Sequence, residues 1–173
     1  NAQSTVDARY SSSDMQYDIE RMEERMAERG GKRAKLGLNE NYARELLELH
    51  TLGVGGGYSQ ADVTQLARVL TGWSVRRPNP KKAGEFGFQF KPRMHDPGPK
   101  TVLGKAFSGK GEEEGEAALD MLARHPSTAR FIATKLCRRF VADDPSSALV
   151  ARVARRFTET DGDVRAVLKA LFA

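Results

Sequence analysis

The chain has 173 residues, 39% of them hydrophobic and 29% charged, with a net charge of +5, the size and balance of a single globular domain with a sizeable core. No apolar stretch approaches the roughly 20 residues that a bilayer-spanning helix needs, which excludes an integral helical membrane protein. The single Cys137 excludes an internal disulfide and leaves the redox compartment open.

In chain order, Met15, Ile19, Met22 and Met26 recur at i, i+4, i+7 and i+11 among Glu and Arg. The spacing predicts a helix over 13–29 with a narrow apolar stripe, ended by Gly30 and Gly31. A methionine-rich stripe suits ordinary core contact or docking onto an irregular surface. The run from Asn39 to Gly53 then holds the start, body and stop of a second helix. Asn39 can accept a bond from a first-turn amide, and Gly53 can take up the left-handed conformation that ends the helix. At about 100° per residue, Tyr42, Ala43, Leu46, Leu47, Leu49 and His50 share one face, while Asn41, Arg44, Glu45 and Glu48 share the other. A glycine-rich turn leads to Ser59, which with Asp62 makes a capping-box start, with Tyr58 placed to staple onto Val63. Val63, Leu66, Ala67, Val69, Leu70 and Trp73 supply the apolar face of this next helix, so residues 37–74 read as a helical hairpin.

Residues 75–110 change character. Nine basic groups stand against only Glu85 and Asp96, so the excess positive charge of the chain sits here. Pro78, Pro80, Pro92, Pro97 and Pro99 break any helical period. Phe86, Phe88 and Phe90 alternate with Gly or polar residues, and Thr101, Val102 and Leu103 can pair with them across the turn-rich His95–Pro99, which predicts a small β-hairpin near 84–104. From Gly111 onward the helical period returns, over Glu112–Arg124 and then Pro126–Val141, where proline suits the first turn and His125 sits at the entrance. Two more helices are expected from Pro145 to Thr158, capped by Asp144, and from Gly162 to Phe172, capped by Asp161. Cys137, among Phe131, Ile132, Leu136 and Phe140 in a helical pattern, reads as a small core residue.

Few residues offer chemistry. Glu45 and Glu48 stand three apart on one helical face, close enough to share a proton, bind a cation or divide acid and base roles. The same face carries Glu40, Arg44 and Glu48 at successive i, i+4 steps, a charge-compensated ladder, and Arg68 of the neighbouring helix is a further partner for either glutamate. His50, on the apolar face near a helix end, reads as a satisfied core histidine. No His-x-x-x-His or paired-cysteine motif exists, so a metal would need Glu45, Glu48, His95 and Asp96 brought together by the fold. The His95-Asp96 turn is accounted for by turn chemistry, since Asp and Gly both favour tight turns, although a His and Lys100 on a loop over a helical scaffold also make a plausible small site. No phosphate loop, nucleophile elbow or dinucleotide fingerprint is present, and no motif indicates a cofactor. Lys81, Lys82, Lys91 and Arg93 with Phe86, Phe88 and Phe90 could combine charge and stacking for a nucleic acid, but the alternation that lines up those rings equally buries them against helices, the reading we favour.

The runs Asn39–Gly53, Tyr58–Val63 and Ala67–Trp73 closely resemble the signature of the bacterial family known as domain of unknown function 1800. The resemblance extends from about Leu36 to Phe172 and takes in the His95-Asp96 turn with Gly98 and Lys100, similar to that family's His-Asp-x-Gly-x-Lys stretch, as well as Lys100–Gly104 and His125-Pro126. It implies no settled activity. Because members are typically longer and often begin with export signals, it does imply that this chain is an internal or C-terminal-half fragment of an exported bacterial protein, with the remainder of that protein as a partner.

The expectation is therefore a mainly α fold, a compact bundle of about six helices with one small β-hairpin insert. It comprises an N-terminal helix and linker at 1–36, the helical hairpin at 37–74, the basic insert at 75–110 and C-terminal helices at 111–173, in one domain. For function, the sequence favours a helical structural, scaffolding or binding module. The alternatives are a metal-assisted hydrolase using the Glu45/Glu48 face and His95-Asp96, with Lys100 stabilising an anion, and binding of a polyanion through the basic insert.

Overall fold

The computed structural model describes residues 38–76 and 87–173. The expected helix over 13–29, and Pro78, Pro80, Lys81, Lys82, Glu85 and Phe86 of the insert, lie outside the described residues. The described part is mainly helical, with six helices and two small antiparallel sheets.

Helix α1, Glu40–Glu45, starts as its sequence dictates, with Asn39 Oδ1 accepting from the Tyr42 amide at 3.1 Å. It continues as a π-helical turn over Leu46–His50. That turn changes the angular step of the helix, and the expected broad apolar face is not what is buried. Ala43 and Leu47, four apart, are fully buried, but Tyr42 and Leu49 are each 51% exposed. His50 is also exposed, so it is not the core histidine the period suggested. The carbonyls at the end of the turn are taken by Thr51 Oγ1, which donates to the Leu46 carbonyl at 2.7 Å, and by Lys135 Nζ, which donates to the Leu49 carbonyl at 3.2 Å. Gly53 stops the helix with φ +80°, and a Cβ there would sit 2.6 Å from the Phe131 ring. The glycine is thus required twice, for the left-handed backbone and for close packing of a distant helix.

Helix α2, Gln60–Val69, has the complete capping box. The Asp62 amide donates to Ser59 Oγ at 3.3 Å, and Asp62 Oδ2 accepts from the Ser59 amide at 2.8 Å. Trp73 does not belong to this helix. The chain leaves it at Leu70, turns through Gly72 and enters strand β1, Trp73–Arg76. Strand β1 pairs antiparallel with β2, Gly87–Phe90, placing Trp73 opposite Phe90 and Val75 opposite Phe88. After a 3₁₀ turn at Pro92–Met94, β3, Lys100–Val102, pairs with β4, Lys105–Phe107. The expected single hairpin joining 86–90 to 101–103 is therefore replaced by two separate sheets. The strand partner of Phe88 and Phe90 is the segment whose apolar residues merge with the periodic run of α2, and the Leu103-Gly104 turn closes its own hairpin. Both turn residues have positive φ, 49° and 77°, as two-residue hairpin turns require. Leu103 is held in that conformation by Asp62 Oδ1, which accepts its amide at 2.7 Å.

The remaining helices are α3, Glu112–Ala123, α4, Pro126–Phe140, α5, Ser147–Glu159, and α6, Val164–Phe172. His125 does sit at the entrance of α4, its Nδ1 accepting from the Ser127 amide at 3.1 Å. Two caps differ from expectation. Ser146, not Asp144, caps α5 through the Leu149 amide, which leaves Pro145 just outside the helix. Asp163, not Asp161, caps α6 through the Ala166 amide. Asp161 has φ +50° in the turn before and spends its carboxylate on Arg124 at 2.9 Å.

Two apolar clusters hold these elements together. The first joins α1, α2, β3, β4 and α3 through Leu47, Val63, Leu66, Val69, Val102, Phe107 and Leu122. The second joins α4, α5 and α6 through Ala133, Cys137, Val153, Val167 and Leu171. Cys137 is fully buried as expected, and burial pushes its thiol pKa up. Phe140, by contrast, is 53% exposed, beyond the end of the packed stripe.

Candidate functional site

The polar chemistry of the described residues concentrates where the β2–β3 connection meets the first turn of α3. Lys100 opens β3, and Glu114 is the third residue of α3, where a carboxylate is favoured by the helix dipole. Their side chains are 0% and 2% exposed, and Lys100 Nζ lies 2.6 Å from Glu114 Oε2. The second Glu114 oxygen accepts from the Gly109 amide at 2.7 Å, and Lys100 Nζ also donates to the Asp96 carbonyl. Such burial of two charges costs several kcal/mol of hydration each, offset here by the pair itself and by the bonds to the Gly109 amide and the Asp96 carbonyl.

His95 and Asp96 join this pair to α2. The Asp96 carboxylate accepts from Arg68 Nε at 2.8 Å, from Arg68 Nη2 at 3.3 Å and from the Gly98 amide at 2.8 Å. The Arg68 guanidinium, with the Gly98 amide second, holds the Asp96 pKa down to about 2. The same bond raises the Arg68 pKa. Thr71 Oγ1 accepts from the Asp96 amide at 2.7 Å and donates to the Arg68 carbonyl at 2.6 Å. His95 Nδ1 lies 2.9 Å from the Thr71 carbonyl, which fixes the proton on Nδ1. Its Nε2 faces Glu114 Oε2 at 3.3 Å, without the geometry of a hydrogen bond, and the ring packs edge-on against Phe90. Trp73 covers the site from β1, its indole lying so close over Gly115 that a Cβ there would meet it at 2.4 Å.

The structure thus brings together His95, Asp96 and Lys100 and leaves Glu45 and Glu48 outside that group. Glu48 accepts from the Tyr58 hydroxyl at 2.8 Å and pairs with Arg44 at 3.7 Å. Burial, then the Glu48 bond, raises the Tyr58 pKa. Glu45 is exposed. Glu40 completes the face by accepting from Thr64 Oγ1 at 2.9 Å and from Gln60 at 3.0 Å. Arg68 meets neither Glu45 nor Glu48, contrary to one expectation, because the Asp96 carboxylate engages it through two bonds, from Nε and Nη2. Among the described residues, no three of His, Cys, Asp and Glu are grouped so as to hold a metal ion. In the basic insert, Lys105 lies over the Phe107 ring at 5.4 Å, and Phe88 packs edge-on against Trp73 while remaining 49% exposed.

Sequence reasoning missed Glu114, Thr71 and the role of Arg68. A signal for Glu114 was present. Glu114, Ala118 and Leu122 stand at i, i+4 and i+8, so this glutamate occupies the apolar face of α3 and needs a buried cation. The adjacent Glu112 and Glu113 disguised it as ordinary first-turn acidity.

A family model described as a protein of unknown function, DUF1800, matches residues 1–173, the whole chain. The chain belongs to the DUF1800 family. No curated protein and no solved structure matches it. The family signature noted in the sequence maps onto three features of the geometry. Asn39–Gly53 becomes α1 with its π turn and glycine stop, Leu70–Trp73 the crossing from α2 into β1, and His95–Lys100 the segment that ties α2 to α3.

Proposed function

We propose that this chain is a helical structural or binding module, in which the His95–Lys100 segment serves as an internal clamp and not as a set of reacting groups. The observation that carries this reading is the Lys100–Glu114 pair. Both side chains are almost wholly inaccessible and bonded to each other, so neither is presented to a substrate. Asp96 is likewise committed to Arg68 and Gly98. A buried network of this kind supports a role in fixing one arrangement of strands against helices. The family resemblance supports placing that module in an exported bacterial protein.

The test is a search for hydrolysis of phosphoester, carboxylester and peptide substrates by the full chain with Mn²⁺, Zn²⁺ or Ca²⁺ supplied, alongside metal content after purification without chelator. No turnover and no retained metal are expected. Turnover that is abolished in Glu45→Gln/Glu48→Gln or in His95→Gln, with an unchanged melting temperature, would replace the module reading with the hydrolase.

A further inference from the structure

Helix α6 carries more apolar surface than its own core uses. Val167 and Leu171, at i and i+4, face inward and are buried against α4 and α5. Turning about the helix by its 100° step, the next stripe is Val164, Leu168 and Phe172, and the one after it is Arg165 and Lys169. Val164 is 62% exposed and Phe172 67%, while Leu168 is partly buried against the core. These three residues, with Arg165, Lys169 and Ala173, line a shallow, open apolar depression. The Phe140 ring, itself half exposed, stands edge-on to Phe172 at 6.0 Å, and Val141 beside it is 52% exposed. Three of the large exposed apolar side chains among the described residues, Phe140, Val141 and Phe172, therefore gather at one end of the α4–α6 unit, and Val164 carries the stripe back along α6 by about 12 Å, a density that marks interaction surfaces.

The charges say what fits. The two cations form a ridge along one edge of the stripe, and among the described residues neither has an ion-pair partner, whereas Arg156 beyond them is paired with Glu159 at 3.5 Å. Asp163 is the nearest acid on this helix, and it is occupied as the α6 cap. A straight three-residue stripe at i, i+4 and i+8, edged by positive charge, matches an amphipathic helix whose apolar stripe is edged by carboxylates. An antiparallel second copy matches poorly, since that two-fold pairing would set Arg165 and Lys169 against their own counterparts.

We infer that the Val164–Leu168–Phe172 face of α6 is a docking surface for an acidic amphipathic helix of a partner segment. The inference rests on the binding-module reading for its significance, but its test is separate from the hydrolysis assay. The full chain is titrated into a fluorescein-labelled synthetic helix of about 18 residues, five turns, with a leucine stripe edged by Glu, and into a matched peptide edged by Lys, with anisotropy as the readout. The Glu-edged peptide is expected to bind, more weakly at high salt, and the Lys-edged one not to. Phe172→Asp should weaken binding about tenfold or more, with the melting temperature held. Arg165→Glu/Lys169→Glu should reverse the preference between the two peptides. Val164→Asp substitutes for Phe172→Asp if the latter lowers the melting temperature. Equal binding of both peptides, or binding of neither, overturns the inference. So does sedimentation showing a dimer that Phe172→Asp dissolves, which makes the occupant a second copy, or binding confined to phosphatidylglycerol vesicles, which makes it a lipid surface. Docking can fail here while the chain stays catalytically silent, and turnover in the hydrolysis assay would leave the peptide result standing.

Discussion

The two halves of the described chain reach a fixed structure by different means. In the α1–α3 half, short strands and turns bring too few apolar side chains of their own to define their place, and the Lys100–Glu114 pair with Asp96–Arg68 ties them to two helices from within. In the α4–α6 half, three helices meet through Ala133, Cys137, Val153, Val167 and Leu171, and among the described residues no charged side chain is buried there. Apolar packing is non-directional and tolerant, so it suits helices whose period already aims the side chains. A loop that must lie in one way needs directional bonds, and buried ions supply direction at little net gain in stability.

The contrast can be put to measurement. The largest effect should come from Lys100→Met, which leaves the Glu114 carboxylate buried with only the Gly109 amide as partner. A loss of about 3–5 kcal/mol in urea denaturation is expected, with much of it restored in Lys100→Met/Glu114→Leu. If the double variant is no better than the single, the pair does not act as a coupled unit. Next, Leu171→Ala in the other half should cost about 2–3 kcal/mol by leaving a cavity, and this cost should be the same at low and high salt. A strong salt dependence would show that the helical half is also held electrostatically.

Asp62→Ala should cost about 2 kcal/mol, since it removes the carboxylate half of the α2 capping box, which accepts from the Ser59 amide, and also the bond that holds Leu103 at positive φ. Leu103→Gly in that background should recover part of the loss, read by the same denaturation curve. The smallest effect is acid sensitivity. Because the folded Asp96 pKa is depressed to about 2, its contribution is present in full above the ordinary carboxylate range and is lost as pH falls through the folded value. Discounted for its partly exposed side chain, that is about 1 kcal/mol between roughly pH 4 and pH 2. The slope should be absent in Asp96→Asn, and an unchanged slope there would assign it to other carboxylates.

Legibility divided along the same line. Asn39, the Ser59/Asp62 box, Pro126 and Gly53 announced their helix ends because caps are local, and the six helices followed from period alone. The π turn was not legible, because the widening of α1 is accommodated by groups far along the chain, Lys135 and Phe131, and with it went the burial of Leu49 and His50. Strand pairing failed for a related reason. Phe88 and Phe90 announce a strand by alternation but do not name its partner, and the competing candidates, Trp73–Arg76 and Thr101–Leu103, are distinguished only when Gly72 turns the chain out of α2 and Leu103-Gly104 closes a hairpin of its own.

For the site, His95, Asp96 and Lys100 were visible as a turn with chemistry, but Glu45 and Glu48 were the wrong carboxylates to set beside them. The amino-acid sequence by itself determined the helical class, the starts of α1 to α4, the buried Cys137 and the family, all of which rest on interactions within a few residues or on pattern. Only the tertiary structure decided that Glu114 is the counter-ion of Lys100 and that Arg68 belongs to Asp96. Ion pairs between distant segments leave no periodic trace, and several carboxylates compete for each cation until packing removes water from one of them.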